Sequence, residues 1–207
     1  MVKKFVADIK WRKSVISLAN EYVNYIWTPT EKNRYHGYDK DGISVNTPDY
    51  GYVSTNYHCG WWLVNQKNKG IPYNWGGCSS LQDFGQGVME GKLAGNVPEL
   101  RSNGSSRECV GVDCSGLVTI CWNTKIRVTT GTIPAIAVPL EAAEFLLPGD
   151  VLLLPGSHVM IFSDFTDETK TKALIIDATR STGKVSIRTI EILDLLSKGY
   201  AAYRRIL

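Results

Sequence analysis

The residues best suited to covalent chemistry lie in Gly111-Val112-Asp113-Cys114-Ser115-Gly116-Leu117-Val118. A cysteine follows an acidic residue and precedes a Ser-Gly pair, at the head of an apolar run with helical spacing. Asp113 is a good N-cap residue, which predicts Cys114 in the first turn of a helix. Residues 114, 117, 118 and 121 then share one face, with Leu117, Val118 and Cys121 as a buried stripe. The partial positive charge at a helix N-terminus favours thiolate over thiol, and the thiolate is the nucleophile. The plainer alternative is a small buried cysteine in a core helix, since free Cys is among the most buried residue types.

A cysteine nucleophile needs a base, and the chain has three histidines. His158 is the best placed. It follows a Pro-Gly-Asp turn, an apolar run at 151–154 and a second turn, and it opens His158-Val159-Met160-Ile161-Phe162. Alone it also reads as an exposed edge histidine. His36 lies in a polar, Tyr- and Lys-rich segment and reads as a solvated loop residue. His58 adjoins Cys59 and is a second candidate base or metal ligand, but two adjacent residues do not make a metal site. No metal site is expected.

A third member follows from hairpin geometry. The apolar runs 158–162 and 173–178 flank polar turn material, which reads as an antiparallel hairpin. With the loop centred near Asp167 and Glu168, His158 faces Asp177. Opposed residues share a face, and a carboxylate beside an imidazole fixes its tautomer and stabilises its cation. A one-residue slip would send Asp177 to the opposite face. Asp177 would then simply cap the turn before Thr179.

These segments, with Pro148-Gly149-Asp150-Val151, Ile176-Asp177-Ala178 and the upstream Pro72-Tyr73-Asn74-Trp75-Gly76-Gly77, resemble the successive motifs of the NlpC/P60 cysteine peptidases. The resemblance covers roughly residues 61–207. It implies a papain-like α+β fold, a helical first half packed on an antiparallel β-sheet. It implies Cys114 as nucleophile, His158 as base and then acid, Asp177 orienting His158, and Tyr73 near the oxyanion. It also implies that Trp75, Asp113 and Ser115 contact substrate, that no cofactor is used, and that the substrate is a peptide stem of bacterial cell wall or a related small peptide. Two departures stand out. The third catalytic position is most often His in that family and is Asp177 here. A long segment, 78–110, separates the Trp-Gly-Gly element from the Asp-Cys-Ser-Gly element. We read it as an insertion beside the cleft, a substrate-side wall or a neutral surface excursion. Its Glu90, Glu99 and Glu108 are candidates to read a free amine, or are ordinary solvated charges.

Composition limits the alternatives. The chain has 207 residues, 43% hydrophobic residues and a net charge of +3. One core with an appended segment fits that length: residues 1–60 as an N-terminal helix and tyrosine-rich loop packed on a catalytic domain at 61–207. The mild basicity suits an anionic polymer and is too weak to argue for nucleic acid. No apolar run is long enough to cross a membrane, and a monomer is expected. The first ten residues do not form a secretory signal, so the chain stays inside, leaves by another route or has been trimmed. Its implied substrate points to the cell envelope. The five cysteines do not settle the compartment. Acyl transfer, a non-catalytic wall-binding module and an intracellular or delivered isopeptidase are the competing functions.

Along the chain, residues 13–26 carry an amphipathic helical pattern. Residues 31–60 read as a long loop or a loosely strand-bearing segment, with Tyr35, Tyr38, Tyr50 and Tyr52 either packing that segment onto the domain or lining a sugar or peptide groove. Residues 60–68 read as a short helix and 126–138 as Thr- and Pro-rich linker. Strands are expected at 151–154, 158–163, 173–178, 184–190 and 200–206.

Overall fold

The computed structural model describes residues 8–53, 60–98 and 104–206. His58, Cys59 and Glu99 lie outside the described residues. In chain order the elements are α1 Ile9–Asn24, β1 Ile26–Trp27, β2 His36–Tyr38, β3 Ser44–Asn46, β4 Asn68–Lys69, α2 Leu81–Met89, β5 Leu93–Ala94, β6 Cys109–Val110 and α3 Cys114–Cys121. Then follow β7 Ala137–Pro139, β8 Val151–Leu154, β9 His158–Phe165, β10 Lys172–Thr179, β11 Lys184–Glu191, α4 Ile192–Ser197 and β12 Ala201–Arg205. The protein is mixed α+β with a six-stranded antiparallel sheet, as expected at that level. No described helix is long and apolar enough to cross a membrane.

The chain forms two compact units. One comprises Met1–Asn20, Val118–Asp177 and Ile187–Leu207, and the other Glu21–Leu117 with Ala178–Ser186. The first carries the sheet, in the order β11-β10-β9-β8-β12-β7. Antiparallel neighbours joined by short turns dominate it: β8 pairs with β9 from Val151↔Ile161 to Leu154↔His158. Both faces of β8 and β9 are buried, which explains the near-continuous apolar runs. Leu152, Met160, Phe162 and Ile175 meet Ile192 and Leu195 of α4 in one core cluster.

A buried carboxylate sits in the turn just before β8. Asp150 is fully buried, and its Oδ1 accepts from Arg12 Nη1 at 2.8 Å. Arg204 Nη2 donates to Oδ2 at 2.7 Å, and the Leu147 N–H donates to the same oxygen at 2.9 Å. The Pro148-Gly149-Asp150 turn is thereby tied to α1 and β12. Trp122 Nε1 donates to the Gly149 carbonyl at 2.9 Å, which anchors the same turn again.

The second unit is built mainly from turns, isolated bridges and two-stranded ladders. β2 pairs with β3 antiparallel, β1 with β4 antiparallel, and β5 with β6 parallel. α2 forms inside the 78–110 segment despite its glycines. Ser80 caps it by accepting from the Asp83 N–H at 3.0 Å. Gly87 is required there, because a Cβ would stand 2.6 Å from Val110 Cγ1.

Three sequence expectations need correction. Residues 60–68 form no helix. Asn65 adopts φ 58°, and the Asn68 side chain takes hydrogen bonds from the Leu63 N–H and to the Leu63 and Gln66 carbonyls, in competition with helical pairing. The 126–138 stretch ends in an edge strand, β7, whose Pro139 marks the outer position on the sheet. The six-residue α4 was hidden between two strands that together read as one strand-rich tail.

Asp150→Ala should cost about 3–5 kcal/mol, because it leaves two guanidinium groups without their carboxylate. Urea unfolding of the variant checks this. A loss under about 1 kcal/mol would match an exposed ion pair instead.

Candidate active site

Cys114 is placed by its neighbours in the second unit. Asp113 is buried and acts as the N-cap of α3. Its Oδ1 accepts from the Gly116 N–H at 2.6 Å, and its carbonyl accepts the first helical bond from the Leu117 N–H at 2.9 Å. Oδ1 also accepts from Ser115 Oγ at 2.9 Å, and Oδ2 from the Gly76 N–H at 3.1 Å. The Trp-Gly-Gly turn is thus bound to the helix start. Tyr73 bridges Val112 in parallel, Cys78 bridges it antiparallel, and the Asp113 N–H donates to the Gly77 carbonyl at 3.0 Å. Only glycine fits at this junction: a Cβ on Gly116 would lie 2.0 Å from the Gly77 carbonyl oxygen. Leu117, Val118 and Cys121 are buried as the helical spacing predicts, and Cys114 is partly exposed.

His158 and Asp177 meet in the first unit. His158 Nε2 lies 2.8 Å from Asp177 Oδ2. The register that brings them together differs from the simple hairpin. Near the loop Ala173 pairs with Phe165 and Leu174 with Asp164; further in, Ile175 pairs with Phe162 and Ile176 with Ile161. One residue of β9, Ser163, is bulged out between these registers. Continuing the inner register sets Asp177 opposite Met160, two residues along β9 from His158 and on the same face. The outer register alone would have put Asp177 on the other face. The expected partner was right in side and off by one diagonal step.

Asp177 is 1% exposed. Burial alone would raise its carboxyl, but hydrogen bonds and charge from His158 and Arg188 together outweigh this and hold it below the usual carboxylate range. Arg188 donates through Nε to Oδ1 at 3.2 Å and through Nη2 to Oδ2 at 2.6 Å. An ionised carboxylate only accepts, so the His158 proton in this bond resides on Nε2 and the lone pair on Nδ1. An imidazole so held can take a proton at Nδ1 and return it. Arg188 escaped the sequence reading. The turn at Thr182-Gly183 was its only signal, since folding the chain there sets residue 188 beside residue 177.

The other candidates fall as follows. Tyr73 is buried and Trp75 is partly exposed. Ser115 is buried against Asp113, so both residues build the helix start. The 78–110 segment lines a pocket of about 450 Å³ together with Asn74, Gly76 and Gly77. Asp83, Glu90 and Lys92 also face it. Glu108 pairs instead with Lys40 at 3.0 Å. His36 is not simply solvated: its ring stacks on Tyr52 at 4.7 Å, and its Nε2 lies 2.9 Å from the buried Asp49. Among the described residues no group of three or more His, Cys, Asp or Glu could hold a metal.

No family model, curated protein or solved structure matches the chain.

Asp177 has a depressed folded pKa, so its contribution to stability is present above the unfolded carboxyl pKa and lost as pH falls through the folded value. The stability gap between wild type and Asp177→Asn should therefore be largest above about pH 4 and close in stronger acid. Urea midpoints from neutral to acid pH read this, and a gap independent of pH would contradict it.

Burial pushes the Cys109 thiol up to about 12. Iodoacetamide at pH 8 should leave Cys109 unlabelled in the folded protein and label it in urea, while Cys114 labels in both. Peptide masses after brief alkylation check the order.

Proposed function

We propose that the protein is a thiol hydrolase with a papain-like fold that cleaves an amide in the peptide stems of bacterial peptidoglycan, acting as a monomer in the manner of the NlpC/P60 peptidases it resembles. The observation that carries the reading is His158 held by a buried, ionised Asp177 with its proton on Nε2. A capped helix start carrying a partly exposed thiol supports it.

In this mechanism Cys114 Sγ attacks the stem carbonyl and its proton passes to His158 Nδ1. The negative oxygen that forms is met by the Cys114 N–H and the Tyr73 hydroxyl. The intermediate collapses to a thioester as His158 returns the proton to the leaving amine. Water, deprotonated by the same nitrogen, then attacks the thioester, and the thiol and a new carboxylate are released. Asp177 holds the imidazole orientation and stabilises its cation, and Arg188 keeps Asp177 charged. The chemistry needs the thiol and Nδ1 within hydrogen-bond reach during proton transfer. The 78–110 segment and its pocket supply the wall that selects among stems.

The test is digestion of purified muropeptides with identification of new ends by mass. Wild type should split one amide by addition of water. Cys114→Ala should lose about 10⁴-fold or more in rate while keeping the wild-type unfolding curve, and His158→Ala should lose as much in rate and also some stability, because it removes a partner of buried Asp177. Release of the same fragments by Cys114→Ala at the wild-type rate would refute the assignment. Transfer of the stem to an added amine in place of water would redefine the protein as an acyltransferase.

A further inference from the structure

Two cations of the second unit are brought together and left without an acid. Lys69 of β4 and Lys184 of β11 come from distant parts of the chain, and both belong to that unit. Lys69 is fixed by its ladder partner Ile26, and Lys184 by an antiparallel bridge to Pro72, a few residues beyond Lys69. Gly70 clears the space between them. A Cβ there would meet Lys184 Cδ at 3.5 Å, so the lysine stem lies along Gly70. Among the described residues neither lysine has an ion pair.

Lys184 is partly buried and held in place. Its Nζ stands 4.4 Å from the centroid of the Trp61 ring, a cation–π contact. The ring is itself fixed. Its Nε1 donates to the Gly183 carbonyl at 2.9 Å, and it packs edge-on against Trp27 with centroids 6.1 Å apart. Burial, and then the charge of Lys69, push the Lys184 ammonium down. A bound anion would oppose both effects. A cation already positioned has little left to order when that anion arrives.

The kind of cation narrows the ligand. Planar, bidentate carboxylate recognition suits a guanidinium, whereas ammonium groups act on phosphate as point charges. Two such charges match a dianion. A phosphate monoester carries nearly two negative charges at pH 7, while a phosphodiester or a carboxylate carries one. We propose that Lys69 and Lys184, on the Trp61 platform, bind a phosphate dianion, either the group of a phosphate monoester or free phosphate. The site stands apart from the proposed hydrolysis and does not depend on it.

NMR titration of the ¹⁵N-labelled full chain at constant ionic strength tests this. Methyl phosphate should give saturable shifts at the Trp61 indole N–H and at the amides of Lys69, Gly70 and Lys184. Dimethyl phosphate and acetate, with one charge each, should bind at least about tenfold more weakly. Glycerol 3-phosphate against inorganic phosphate separates the sources: tighter binding of the ester names a monoester, and equal or weaker binding names the free ion. Lys184→Met keeps the stem and removes the charge. It should weaken methyl phosphate by about tenfold while retaining the wild-type unfolding curve. The ligand comparison needs no variant and stands even if Lys184→Met fails to fold. Absence of saturable shifts at these residues, equal affinity for methyl and dimethyl phosphate, or unchanged affinity in folded Lys184→Met would overturn the proposal.

Discussion

The buried carboxylate of Asp113 sets the terms for everything around the candidate nucleophile. It has almost no contact with solvent, so each of its oxygens must find donors inside the protein. Two of the donors are backbone N–H groups, from Gly116 and Gly76, and a third is the Ser115 hydroxyl. Those partners can approach only if Gly116 and Gly77 lack side chains. An ordinary N-cap contributes about 1 kcal/mol. Leaving a buried charge short of donors costs several times that. The motif Asp-Cys-Ser-Gly and the motif Trp-Gly-Gly are therefore one structural unit, written in two separate places in the chain.

Two further aspartates are buried as deeply and are satisfied differently. Asp150 is held by two guanidinium groups and one backbone N–H, none of which changes charge in the physiological range. That arrangement locks a turn. Asp177 is held by one guanidinium and one imidazole. Replacing a fixed cation with a titratable ring turns the same solution into one that responds to a proton. Asp150 is thus held only by fixed donors, whereas one of the partners of Asp177 is a titratable ring.

The parts of this protein that are legible in its sequence are those set by local chemistry. The cap at Asp113, the buried stripe of α3 and the strands from Val151 onward follow from residue type and spacing, and the structure has them there. The parts that stay hidden depend on events far along the chain or on one-residue irregularities. Nothing local in Ser163 announces that it is extruded from the ladder, since the signal is the mismatch between the two halves of the hairpin. Arg188 looks like any strand-borne surface cation until β11 is folded beside β10. The failed helix at 60–68 shows the reverse case. Its apolar spacing is helical, but one asparagine side chain offers the backbone a cheaper set of bonds.

The bulge in β9 has a consequence for how this hairpin can drift in evolution. Strand faces alternate with every residue, so the loop side of the hairpin and its inner end are out of phase by one position. A single-residue deletion or insertion in the strands between His158 and Asp177 that left the bulge in place would swap the phase and separate the two side chains. A two-residue change would preserve it. Sequences descended from this one should therefore show length variation in that loop in even steps, or odd steps paired with loss or gain of the bulge. Gap parity across 159–176 becomes a readable mark of whether a descendant still keeps the histidine–aspartate pair.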